Sequence, residues 1–119
     1  MKDPRLAKLA ENLINYSVEL QPGEKILLEV IGDALPLAAE LVKKAYAVGG
    51  VPFLKLAQPS LTRELLKEAS AGQLQALAGW DRSQMSAMQA YIGIRAGENS
   101  SEFADLSGEK LRLYQKEYI

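Results

Sequence analysis

The stretch PGEKILLEVIGDALP, residues 22–36, decides the fold. Pro22 and Gly23 make a turn, and ILLEVI over 26–31 follows as a short apolar run rich in branched side chains. A run that is apolar at consecutive rather than alternating positions reads as a strand covered on both faces, which is the pattern of a parallel sheet. Gly32 ends the strand, and Asp33 stands where the cap of a following helix is needed. In that helix Leu37, Ala38, Leu41, Val42, Ala45 and Val48 form one stripe, and Gly49 and Gly50 stop it.

Working outward, Asp3 caps an opening helix with Pro4 at its first position, and Leu6, Leu9, Ala10, Leu13, Ile14 and Ser17 fall at helical spacing. Downstream, VPFLKLA over 51–57 is a second strand, with Pro52 admissible near a strand start or on a sheet edge. A third helix begins near Ser60, with Leu61, Leu65, Leu66 and Ala69 on one side, and Gly72 interrupts it. Leu74 and Leu77 predict a short helix before Gly79 and Trp80, and Met85 and Met88 belong to a further turn or two. AYIGIRA over 90–96 is the third strand, GENSSEF its exit loop, and Ser107 caps a last helix presenting Leu111, Tyr114 and Tyr118.

Long connections between apolar strands accommodate crossover helices. The expected fold is therefore α/β: a three-layer arrangement of a small parallel sheet, about three strands, with helices on both faces. The length of 119 residues fits a single domain. The last helix has nothing to close it before Ile119, and in a doubly wound fold such a helix leads to another strand. The expectation is that residues 1–119 are the truncated front portion of a longer protein.

The 14 basic and 15 acidic residues nearly cancel and are interspersed, leaving no basic stripe for phosphates, so nucleic acid is not an expected partner. No apolar run reaches the ~20 residues of a membrane span, and MKDPRLAKLAENL carries charges where a signal peptide has its apolar core. The chain reads as soluble and cytoplasmic, with no membrane partner. It has neither His nor Cys, so the commonest general base, the commonest metal ligand and the thiol nucleophile are all missing. No catalytic residue, no metal ligand and no cofactor are expected within it.

Two loops merit inspection, since doubly wound sheets bind ligands at the carboxyl ends of their strands. The first, IGDALP from Ile31, has one glycine where a dinucleotide fingerprint needs three, and Asp33 is read as a helix cap rather than a ligand residue. The second, after the third strand, places Gly93, Arg95, Glu98 and Asn99 at the end of an expected central strand, as a cavity or interface loop. Gly93 inside a strand implies that something approaches the backbone closely there. Glu98, Glu102 and Asp105 match no calcium-loop spacing and read as a solvated acidic loop. Trp80 reads as an anchor between helices, and Met85 and Met88 as core gap-fillers.

Four segments in order resemble one family. NLINYSVELQPGEKILLEV from Asn12, AYAVGGVPF from Ala45, AYIGIRAGEN from Ala90 and the SGEKL helix start from Ser107 are similar to the opening of the thermophilic-type metalloaminopeptidases, aminopeptidase T and its relatives. The resemblance covers essentially the whole chain and departs at Ser100, where relatives often carry Pro. It implies a parent hydrolase that removes amino-terminal residues from peptides using two divalent metals, zinc, cobalt or manganese. Their Glu, His and Asp ligands would lie in a carboxyl-terminal catalytic domain, none of them on a position here. Homodimers are typical of the family. The alternative, from the loops alone, is a self-contained module that binds a small ligand or partner through Asp33 and Arg95.

Overall fold

The computed structural model describes residues 3–96. The elements are α1 (Pro4–Asn12), continued by a π-helical turn over Leu13–Ser17, then β1 (Lys25–Ile31), α2 (Leu35–Ala47), β2 (Val51–Ala57), α3 (Pro59–Lys67), α4 (Ala71–Ser86) and β3 (Ala90–Arg95). The strands form one parallel sheet in the order β2-β1-β3. Chain handedness explains the layering. The connection from β1 through α2 to β2 and the one from β2 through α3 and α4 to β3 run in opposite directions along the sheet. With right-handed crossovers their helices must lie on opposite faces.

Side-chain alternation along β1 makes the two faces visible. Ile26, Leu28 and Val30 join Ile92 and Ile94 of β3 against Ala10 and Ile14 of the first helix and Leu37 and Leu41 of α2, in one closed core. Leu27 points the other way and meets Tyr91 and Met88 in a much smaller cluster, with Met85 packed against it. The strand expected to be buried on both faces is β1, apolar at consecutive positions because both faces are covered. Pro52 sits on edge strand β2, where its missing N–H costs no ladder bond between neighbours.

Helix starts follow from short-range chemistry. Asp3 Oδ1 accepts from the Arg5 amide at 2.9 Å, and the Arg5 guanidinium beside it holds the Asp3 carboxyl below its usual range. Ser70 Oγ accepts from the Gln73 amide at 3.0 Å while the Gln73 side chain accepts from the Ser70 amide at 3.4 Å, a reciprocal capping box that starts α4.

Four expectations need correction. Asp33 does not cap α2: Pro36 sets the first turn, the capping position falls on Ala34, and no side chain bonds there. The strand carrying Arg95 is not central, since β1 lies between its two partners. The short helix expected at Leu74 and Leu77 and the turn expected at Met85 form the single helix α4, with Met88 just beyond its end, because Gly72 sits in the first turn behind the Ser70 cap and Gly79 is tolerated in the interior. Trp80 anchors nothing: it lies on the outer surface of α4, 69% exposed. The exit loop beyond Ala96 and the helix from Ser107 lie outside the described residues. Among those described, no helix is long and apolar enough to cross a membrane.

Candidate functional site

The carboxyl ends of the three strands converge on Gly32. Its amide donates to the Ala57 carbonyl at 2.9 Å, and the Ala96 amide donates to the Ile31 carbonyl at 2.8 Å, so the ends of β2 and β3 close on the end of β1. Gly32 holds a φ of 94°, and a Cβ there would stand 2.0 Å from the Ala96 carbonyl oxygen. Only glycine meets both demands. The order β2-β1-β3 reverses direction between β1 and β3, and in open α/β sheets the crevice forms at such a reversal.

An open cleft of about 450 Å³ lies there. Gly32 and Ala96 line it at the strand ends, Asp33 borders it from the β1–α2 loop, and Gln58, Pro59, Ser60 and Arg63 wall it from the start of α3. The lining offers a carboxylate, a guanidinium and a hydroxyl around backbone. That donor and acceptor set can orient a small polar molecule.

The expected site residues divide. Arg95 pairs in register with Ile31 at the same end of the sheet and is exposed, one residue before Ala96 of the cleft lining. Gly93 lies deeper in β3, in register with Glu29. What approaches its backbone is the ring of Tyr91 from the same strand: a Cβ on Gly93 would fall 2.6 Å from the Tyr91 hydroxyl. Glu98 and Asn99 lie outside the described residues. Ser60 and Arg63 of the lining follow β2, whose exit carries only a helix-start signal in the sequence. The carboxyl-end rule applied to all three strands points to that loop as well.

A polar cluster crosses the sheet on the α4 side. The Tyr91 hydroxyl donates to Glu29 Oε1 at 2.5 Å, and Lys55 Nζ lies 3.9 Å from Glu29 and 2.5 Å from Asp81 of α4. Glu29, Lys55 and Gly93 share one row of the ladder, so the small residue leaves room for the tyrosine that completes the row. The carboxylates are answered by a lysine and a phenol, which fits a structural tie between β1, β2, β3 and α4. Among the described residues no three His, Cys, Asp or Glu side chains gather as metal ligands would.

Comparison with known proteins adds the following. A family model described as thermophilic metalloprotease (M29) matches residues 2–118. Aminopeptidase PepS of Streptococcus thermophilus is 25% identical over 115 residues, a match covering 93% of this chain and 28% of that protein. The solved structure of wild-type AmpT from Thermus thermophilus shares the fold, with a TM-score of 0.60 at 22% identity, over 95% of this chain and 30% of that one. The chain therefore spans less than a third of the length of either relative.

Proposed function

Since the chain belongs to the thermophilic metalloprotease (M29) family, we propose that residues 1–119 are the amino-terminal domain of a longer, metal-dependent aminopeptidase, and that the reacting groups lie outside them. The observation that carries this reading is the pairing of a family match over residues 2–118 with a span of only 28% of an aminopeptidase relative. Peptide substrates would then belong to the whole protein, and this domain would contribute shape and contact surface. Arg95, at the exposed end of β3, is proposed as a residue of the wall facing the active-site cavity or a partner.

Zinc, cobalt or manganese is implied for the parent by the family. The donor chemistry of this chain does not fit such an ion: it lacks His and Cys, and Glu29 and Asp81 are engaged by Tyr91 and Lys55. No step of hydrolysis is therefore derived through these residues. The purified chain, assayed on aminoacyl p-nitroanilides with each of the three metals added in turn, is expected to give no turnover. Metal-dependent turnover that follows the pure chain through its final column would contradict the reading.

A second reading, a free-standing module that binds a small ligand, draws on the cleft bordered by Asp33, Ser60 and Arg63. A thermal-shift screen of small zwitterions and carboxylates separates the two. Stabilisation that Arg63→Ala removes would favour the module, and a uniformly silent screen would dismiss it.

A further inference from the structure

The layer formed by α3 and α4 is unfinished. Neither helix contributes a single buried residue. Leu61, Leu65 and Leu66 of α3 and Trp80 of α4 are each at least half exposed, and Phe53 of β2, in register with Leu27 on this side of the sheet, is 39% exposed, although the α3 leucines have the helical spacing of residues meant for a core. Exposed apolar side chains this numerous on neighbouring elements mark a surface that is covered in the working protein. The charges between them cancel locally: Glu64 pairs with Lys67, and Asp81 with Lys55. Residues 51–86 carry four basic and three acidic side chains, and a surface so nearly balanced suits an apolar protein face and offers little to nucleic acid or an anionic membrane.

We infer that the face built from β2, α3 and α4 docks the remainder of the longer polypeptide, a second and catalytic domain of the same protein. This inference rests on the reading of the chain as an amino-terminal domain. The length of the relatives argues for that occupant over a second copy of this chain. More than two thirds of each relative lies outside the matched stretch, and a covalently joined domain is present at an effective concentration on the order of millimolar. The face adjoins the cleft, since α3 supplies Ser60 and Arg63 to one and Leu61, Leu65 and Leu66 to the other. A domain docked there would turn the open cleft into an interdomain pocket, a common place for a ligand.

The test joins this chain to the Streptococcus thermophilus aminopeptidase in place of its matched stretch, and compares hydroxyl-radical labelling of the joined protein with that of the isolated chain. Labelling of Leu61, Leu65 and Trp80 is expected to fall by about fivefold on joining, as burial at the centre of an interface excludes water. It should return in the joined protein carrying Leu65→Arg. Unchanged labelling in a joined protein that hydrolyses peptides would overturn the docking face while leaving the functional reading intact. Protection at that face without any hydrolysis would do the reverse. A second arm needs only the isolated chain. Sedimentation at micromolar concentration should find a monomer, and a dimer that protects Trp80 and is split by Leu65→Arg would assign the face to a second copy and overturn the inference.

Discussion

The two faces of the sheet carry similar kinds of residue and meet different fates. On one, Ile26, Leu28, Val30, Ile92 and Ile94 are sealed by Ile14, Leu37 and Leu41, all at most 1% exposed. On the other, Leu27, Tyr91 and Met88 close a small patch, while Leu61 of α3 and Phe53 of β2 stand 68% and 39% exposed. Helix α1 on the first face and α3 on the second show apolar stripes at the same period. The difference teaches that periodicity records which side chains need cover, not which part of a protein supplies it.

The comparison breaks most readily under truncation of one leucine on each face. Leu28→Ala or Leu41→Ala should cost about 2–5 kcal/mol, because each opens a cavity that its packed neighbours fill only in part. Leu65→Ala should stay within about 0.5 kcal/mol of the parent, because half of that side chain already faces solvent. Urea unfolding followed by circular dichroism measures both, and equal losses would mean that the second face is closed too.

The seam between the faces is the next place to press. Gly32→Ala forces a side chain into a left-handed backbone and against the Ala96 carbonyl, a loss of about 1–3 kcal/mol from backbone strain before the clash is counted. Gly93→Ala probes the one part of the α3–α4 face that is well packed. The new methyl displaces the Tyr91 ring and its bond to Glu29, for an overpacking loss of about 1–3 kcal/mol in the same unfolding measurement. A neutral Gly93→Ala would show that the polar cluster does not tie the strands together.

The smallest effect lies at the edge of the closed face. Asp3 has its carboxyl pKa lowered from the model-compound value of 3.8 by Arg5, so its contribution to α1 is present above that value and is lost as pH falls through the depressed folded-state pKa. Acid titration of the Asp3 side chain by NMR should give a midpoint below 3.8, and Arg5→Ala should return it toward the ordinary value.

Much of this was legible in the residues. ILLEVI announced a strand covered on both faces, Gly49 and Gly50 marked the end of α2, and all three strands fell within a residue of their positions. Local chemistry misled where two signals competed. Asp33 is a good cap residue, yet Pro36 moved the helix start past it; Gly72 and Gly79 look like breakers, yet the Ser70 box and the surrounding helix formers carried α4 through both. Strand order was not legible, because it depends on which crossover passes over which strand. With it went the place of β3 at the flank and the role of Arg63, which reaches the cleft only because β2 and β1 are neighbours. Gly93 did signal a close approach, but nothing in the spacing distinguished a ligand from a tyrosine two residues away.

The asymmetry of the sheet is tested most directly by hydroxyl-radical labelling of the dilute, isolated chain, read residue by residue. The account predicts strong labelling at Leu61, Leu65 and Trp80 with Leu28 and Leu41 silent, and comparable protection at both sets would contradict it.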